Sequence, residues 1–379
     1  MKKMNNKPFD FKTKTIVVFI GLLALTSSYS NAQTDDFTKS LEARVAARWD
    51  YEAERKETLL DKDRFTVFLA GTGSPTNRNR IMSGTAVFAN GKFFLFDAGD
   101  GTVEKMEQMG LPLPDVDAIF VTHFHSDHID DLGAIVQRSY ILGRRTFLPI
   151  FGGEGIEDIV DGIHKFYAGD FSYRTAHHGE KYMPSNLGHA FAGMTIRFDG
   201  SEHGEGHGLG HGEGHLHAND DGHIVYARDG VVVTAFKVSH DPIHPALGYR
   251  VDYNGKSVVI SGDTHMESNL LKFSKGADVL VCEVMNKKVE EQMEHMHRKL
   301  GHPGRAKIFF DIRNYHLGTD DVGKIAADAG VKTLILTHEI PSTDDTDYMN
   351  LVFRDEVAKY FKGEIILGKD GTEFVLPND

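Results

Sequence analysis

The run Ala118–His128, AIFVTHFHSDH, passes from four apolar residues into three histidines and an aspartate. That boundary constrains the fold more than any other stretch of the chain. A buried strand stops where its polar residues begin, so His123 and His125 stand at a strand end and point the same way if the extended geometry continues. A turn through Ser126 brings Asp127 and His128 back towards them. Neutral imidazole and carboxylate are good ligands for zinc and related divalent ions. The bland alternative is a chance cluster, since the chain holds 21 histidines. A chance cluster, however, has no reason to follow directly on an apolar run.

The arrangement recurs along the chain. His240 ends VVVTAFKVSH, Asp263 follows SVVIS in SGDT, and His338 ends TLILTH. Each is a potential ligand placed where an apolar strand stops. His244, four residues beyond His240, competes with it for the same role. Between these points the pattern alternates strand and helix. FTVFLAGTG ends in a glycine turn, and GTAVFANGKFFLFDAGDGT is predicted to form a hairpin turning at Asn90-Gly91. Helices are expected at Thr102–Met109, Asp130–Tyr140, Ile156–Tyr167, Ser268–Phe273, Lys287–Lys299, Asp320–Ala329 and Tyr348–Phe361. Further strands are expected in RTFLPIF, VVVTAFKVSH, LGYRVDY, SVVISGD, DVLVCEV and TLILTH. Such a mixture predicts an α/β sandwich with mixed sheets. Neither GTGSP nor GDGT has the spacing of a nucleotide-binding loop.

Two segments differ from the rest. In residues 1–32, five lysines precede the apolar run TIVVFIGLLAL, and Ser30 and Ala32 occupy the small-residue positions of a cleavage site. This predicts a signal peptide cut near Ala32, a periplasmic or secreted protein, and no stable membrane anchor after cleavage, the run being shorter than the roughly 20 residues that span a bilayer. Residues 33–63 read as a helical lead-in, and 64–379 as the main domain. Inside that domain, residues 201–223 are a Gly/His-rich loop, which either captures metal or is simply a flexible polar insertion. The lone Cys282 has no disulfide partner and reads as a core residue of VLVCEV. A formal net charge of −13, with no basic run after the N-terminal segment, argues against nucleic acid as the main partner.

The pattern His123-x-His125-x-Asp127-His128, followed in order by His240, Asp263 and His338, resembles the metallo-β-lactamase superfamily. LAGTGSPTNRNRIMSGTAV, DAGDGT, HPALGYRVDYNGKSVVISGDT and LILTHEIP are most similar to its branch containing ribonuclease Z and arylsulfatase- or phosphodiesterase-like relatives. The likeness runs from about Phe65 to His338. It implies an αββα sandwich of two mixed sheets flanked by helices, with two divalent ions ~3.5–4 Å apart at one edge. Zn2+ is the expected metal, with Mn2+ or Fe as alternatives. His123, His125 and His240 would hold one ion, Asp127, His128 and His338 the other, and Asp263 would bridge them. Asp127 would also accept the proton of the attacking water. His316, in the position of a histidine that these relatives carry before the last helix, would protonate the leaving group. Arg78 and Arg80 would lie near the site mouth, holding an anionic group or pairing with a rim carboxylate. His265, in GDTHME, would touch the site, whereas His177, His178, His295, His297 and His302 read as rim or surface positions.

These readings imply an exported dinuclear hydrolase acting on a small phosphodiester or sulfate ester, with a small-molecule substrate, no nucleic acid, and a homodimer as the expected assembly. The alternatives are lactone or β-lactam ring hydrolysis, and a periplasmic zinc-binding or zinc-buffering protein in which the Gly/His loop is the working part.

Overall fold

The computed structural model describes residues 31–75, 79–198, 222–341 and 346–377. The expected signal peptide thus lies almost wholly outside the described residues, as do Arg78 and all of the Gly/His loop except Gly222 and His223. The chain divides into two units, Met1–Ala53 and Glu54–Asp379. The described part of the first belongs to a helix, Asn31–Leu59, that exposes Phe37, Val45, Trp49 and Tyr51. Among the described residues no helix is long and apolar enough to cross a membrane.

Among the described residues the second unit has fourteen strands: β1 (Phe65–Gly71), β2 (Gly84–Ala89), β3 (Lys92–Phe96), β4 (Val116–Phe120), β5 (Leu148–Gly152), β6 (Phe191–Thr195), β7 (Gly222–Arg228), β8 (Val231–His240), β9 (Ile243–Tyr253), β10 (Lys256–Ile260), β11 (Val279–Met285), β12 (Thr333–Ile340), β13 (Glu364–Leu367) and β14 (Thr372–Val375). They form two seven-stranded sheets, ordered β14-β1-β2-β3-β4-β5-β6 and β13-β12-β11-β10-β9-β8-β7. Both are mixed. Strands pair antiparallel through β14-β1-β2-β3 and β7-β8-β9-β10, and parallel through β3 to β6 and β10 to β13. The β2–β3 hairpin turns at Asn90-Gly91, both at positive φ (49° and 70°), the backbone that a two-residue mirror-image turn requires.

Alternation along each strand sorts the core into layers. From β1, Phe65, Val67 and Leu69 face the second sheet, while Phe68 and Ala70 face helices. The layer between the sheets also holds Phe94, Phe96, Phe120 and Tyr249. Phe96 and Phe120 stack with centroids 5.1 Å apart, and Tyr249 leans on both at 5.4 and 5.5 Å. Truncating a buried phenylalanine of this kind to alanine typically costs about 3–5 kcal/mol. Outside the first sheet lie helices carrying Val103, Met106, Leu132, Ile135, Ile156 and Val160. Outside the second lie Leu270, Val322, Ile325, Phe353 and Val357. The architecture is an αββα sandwich. Cys282 is wholly buried in the outer layer of the second sheet, where burial pushes its thiol far above the ordinary range.

Several elements depart from expectation. The helix expected to end at Tyr167 runs Ile156–His178, and a helix absent from the sequence reading occupies Pro303–Asp311. The single helix expected at Tyr348–Phe361 is broken into Thr346–Met349, a π-turn Asn350–Arg354 and Asp355–Val357.

Candidate metal centre

Strand ends from both sheets converge at one edge. Asp97 follows β3, His123–His128 follow β4, His240 closes β8, Asp263 follows β10, and His338 lies near the end of β12. Glycines allow the close approach. A Cβ at Gly99 would lie 2.1 Å from the Asp127 carbonyl oxygen, and Gly262, at φ +60°, passes beside Leu247 and Thr122. His338 is aimed by a bulge. Glu283 of β11 pairs with Thr337 and the next residue, Val284, with Glu339, so His338 is the extra residue, held at φ 46°.

All seven residues expected as metal ligands come together. His123, His125, His240 and Asp263 form one group able to hold a metal ion; Asp127, His128, Asp263 and His338 form a second. Asp263 belongs to both, its Oδ2 lying 3.8 Å from His123 Nε2, 3.3 Å from His128 Nε2 and 3.5 Å from His338 Nε2. Asp127 Oδ2 lies 3.1 Å from His338 Nε2 and 3.5 Å from His128 Nε2. All are buried except His125, which leaves the first group open to solvent. His244 is not part of the cluster: its side chain is 71% exposed and pairs with Asp241, so His240 is the residue that arrives.

Hydrogen bonds around the cluster assign the imidazole tautomers. The Tyr315 carbonyl can only accept, so His240 donates to it from Nδ1 (2.9 Å), leaving a lone pair on Nε2. Asp97 accepts from Thr122 N (2.8 Å), from Thr122 Oγ1 (2.9 Å) and from His128 Nδ1 (2.8 Å). Because the Thr122 hydroxyl spends its one proton on Asp97, it accepts from His123 Nδ1 at 3.0 Å. His123 Nε2 therefore also carries a lone pair. These two lone-pair nitrogens both face His125 Nδ1, at 3.0 and 3.4 Å. A proton on His125 Nδ1 can bridge to either nitrogen, and a cation between the three rings would take that proton's place. On the second group, His128 Nε2 is buried 3.3 Å from Asp263 Oδ2 and makes no well-aligned hydrogen bond. The donor set, its tautomers and this nitrogen fit divalent metal ions.

Electrostatics set two kinds of histidine apart. Burial holds His123 well below the ordinary imidazole range and His240 at about 4, so both are neutral at neutral pH. Burial also opposes charge on His128 and His338, but Asp263 and a second aspartate at each outweigh it. His128 is raised well above its usual value, and His338 to about 9. Burial would raise Asp127 and Asp263; the histidines around them prevail and hold both carboxyls down, Asp263 most strongly. Ligation requires neutral imidazole, so metal binding at pH 7.5 is expected to release about two protons, from His128 and His338. Above pH 9 the release should shrink as His338 loses its proton unaided. Calorimetric titration with Zn2+ in buffers of different ionisation enthalpy measures this, and no release at pH 7.5 would contradict the assignment.

Outer contacts were the part that sequence reasoning passed over. Asp97, in DAGDGT after the apolar FFLF, obeys the same strand-end rule as the ligands and orients both His128 and, through Thr122, His123. It sits at φ 60°, an uncommon backbone for a non-glycine residue. Asp97→Asn should keep the fold and lower metal affinity about 10–100-fold, the usual effect of losing an orienting carboxylate; competition with a chromogenic chelator reads it. Glu283 is the other omission. It is buried in VLVCEV, where a lone charged residue in an apolar run was the available signal. Its Oε2 lies 2.8 Å from His316 Nδ1, and its Oε1 accepts from Thr264 N (2.8 Å) and, more weakly, from Leu317 N (3.4 Å). His316 is itself buried, with Nδ1 4.0 Å from Asp263 Oδ2. Glu283, His316 and His338 form a third potential ligand group. Their oxygen and nitrogen are already bonded to each other, which suits proton handling better than ligation.

The remaining expected positions lie elsewhere. Arg80 is buried, 3.2 Å from Glu339, and also donates to Thr72 and the Gly368 carbonyl. His265 is bonded to the Met266 carbonyl, His177 and His178 are exposed at a helix end, and His295 and His302 are exposed. His297 is buried, stacked on Phe309.

The αββα sandwich and its edge of histidines and aspartates define the class: a hydrolase of metallo-β-lactamase fold. Comparison with known proteins agrees. A "Beta-lactamase superfamily domain" matches residues 198–339, and "Anti-Pycsar protein Apyc1" matches residues 65–151. Ribonuclease Z of Mycobacterium avium is 30% identical over 80% of this chain and 95% of its own length, and that of Mycolicibacterium paratuberculosis 31% over the same shares. Among solved structures, the metallo-β-lactamase fold protein YhfI from Bacillus subtilis superposes with a TM-score of 0.55 at 20% identity, covering 83% of this chain and all of that one. The short form of human tRNase Z gives 0.51 at 19%, with the same coverage. The chain belongs to the metallo-β-lactamase superfamily and, within it, to the ribonuclease Z family.

One expectation falls here. A small-molecule ester substrate with nucleic acid excluded conflicts with relatives that are ribonucleases by name over most of the chain. The physical error was to use net charge as a veto. A formal −13 sums the whole surface, whereas a phosphodiester meets only the field at the site, and bound dications reverse that field locally.

Proposed function

We propose that this chain is a metal-dependent phosphodiesterase that hydrolyses RNA. The observation that carries the reading is the pair of buried ligand groups sharing Asp263, in a chain matched along most of its length by ribonucleases Z. His123, His125, His240 and Asp263 would hold one divalent ion, and Asp127, His128, His338 and Asp263 the other. Zn2+ suits this histidine-rich set. Bound there, two such ions supply a hydroxide at neutral pH and positive charge for the phosphoryl oxygens.

The chain's own residues do the rest. Asp127, kept ionised by His338 and His128, takes the proton of the attacking water. Exposed His125 marks the side from which substrate enters. Glu283, fixed by backbone donors, holds His316 through Nδ1, so the proton offered to the leaving oxygen sits on His316 Nε2. The test uses zinc-loaded protein with an end-labelled RNA carrying a 3′ extension and, in parallel, bis(p-nitrophenyl) phosphate. Cleavage of both, abolished by chelator and by Asp127→Ala, is expected. RNA left intact while the small diester is hydrolysed would overturn the reading.

A further inference from the structure

Between Glu283 and His316 the chain makes an excursion. It leaves β11 at Asn286, runs through the helix Lys287–Lys299, turns, returns through Pro303–Asp311, and rejoins the site at Tyr315, whose carbonyl holds His240. The hairpin is thus anchored at both ends to residues of the metal centre. Its charge is opposite to that of the whole chain: residues 287–313 carry seven Lys/Arg and four Asp/Glu, in a protein of formal charge −13. Two of those acids, Glu290 and Glu294, are buried.

The free positive charge gathers towards the tip. Lys287 and Lys288 already face Asp321 and Glu356 near the root, and Arg313 is bonded to Glu294. Beyond them Arg298 and Lys307 are exposed but paired with Glu294 and Asp311, and Lys299 and Arg305 are exposed with no ion pair among the described residues. Exposed apolar groups lie among them: Met296, Leu300, Ile308 and Phe310, the last with the Arg313 guanidinium 5.3 Å from its ring centroid. Cations interleaved with an aromatic face are what a single-stranded polynucleotide needs, phosphates meeting the charges and bases the ring. The first helix has 13 residues, so it extends about 20 Å from the root. At ~3.4 Å per nucleotide that spans about six stacked nucleotides.

We propose that this hairpin is a docking surface for the strand of RNA flanking the bond cleaved at the metal centre. The inference rests on the RNA reading above and deepens it. The same mixture of cations and apolar side chains could meet an anionic membrane, but a membrane surface would not require both ends of the hairpin to be fixed to the site.

The experiment compares zinc-loaded wild type with the triple variant Lys299→Ala/Arg305→Ala/Lys307→Ala on single-stranded RNA and on bis(p-nitrophenyl) phosphate, over a series of salt concentrations. All three changes are on exposed positions away from the ligands. KM for RNA is expected to rise about tenfold, with kcat and small-diester turnover unchanged. The slope of log(1/KM) against log[salt] should flatten by about 2, since each single-strand phosphate contact contributes ~0.7. An unchanged KM and salt slope, with RNA still cleaved, overturns the hairpin's role alone. A wild type that cleaves the small diester and not RNA overturns both readings. Loss of binding to phosphatidylglycerol vesicles in the variant, with RNA kinetics intact, assigns the surface to a membrane instead.

Discussion

Asp263→Ala is expected to abolish hydrolysis of every substrate and to leave the protein with fewer than one tightly bound metal per chain. Removing a single electrostatic stabiliser commonly costs about 10²–10³-fold in rate. The loss here should exceed that, because Asp263 is the one carboxylate common to both ligand groups. It is also the anion that most strongly supports charge on His128 and His338. Without it, His123, His125 and His240 remain as three neutral rings, and the second group keeps one carboxylate, Asp127. Affinity in such a site depends on charge as much as on geometry, so both positions weaken together. The measurement is metal content after dialysis, beside turnover of bis(p-nitrophenyl) phosphate. His240→Ala makes the contrast, since it touches one group only and should spare the second ion. Two retained ions in Asp263→Ala would refute the shared-ligand geometry.

Much of this site could be read from the sequence because it obeys one rule, a polar residue where an apolar strand stops. His123, His240 and Asp263 follow it, His338 stands where the apolar run TLIL ends although β12 continues past it through the bulge, and the structure brings all four to one edge. Asp97, in DAGDGT after FFLF, follows it too. Glu283 breaks the rule. It lies inside β11, and only tertiary pairing with His316 explains why a carboxylate is tolerated there. His240 and His244 could not be separated with certainty from spacing; exposure of His244 against burial of His240 separates them. The layered sandwich was legible from alternation, since strands covered on both faces become continuous apolar runs. Short edge strands were not: β13 and β14 have four residues each, too few for a period to show. Pro303 at the start of the helix Pro303–Asp311 was a usable signal, as proline suits the first helical turn.

His316→Ala should separate proton delivery from metal binding. His316 lies outside the two ligand groups that share Asp263, yet its Nδ1 is 4.0 Å from Asp263 Oδ2 and 2.8 Å from Glu283 Oε2. The variant is therefore expected to keep its metal and its fold. If His316 donates a proton to the departing oxygen, the size of the loss depends on the leaving group. A ribose hydroxyl is a poor leaving group and needs that proton, so kcat on RNA should fall about 10²–10⁴-fold, the usual contribution of a general acid. p-Nitrophenoxide leaves readily as an anion, so turnover of bis(p-nitrophenyl) phosphate should fall less than tenfold. Glu283→Gln should show the same asymmetry at smaller amplitude. Its amide keeps an oxygen for Thr264 N and Leu317 N but turns an NH2 donor towards His316 Nδ1, so the ring keeps a proton only on Nε2 and loses the negative charge that supports a second one. A purely structural role predicts the opposite pattern. Disorder at His316 would loosen Tyr315, whose carbonyl orients His240, and both substrates would then suffer equally along with metal content. Equal losses on the two substrates would therefore move His316 from proton donor to support for the first ligand group.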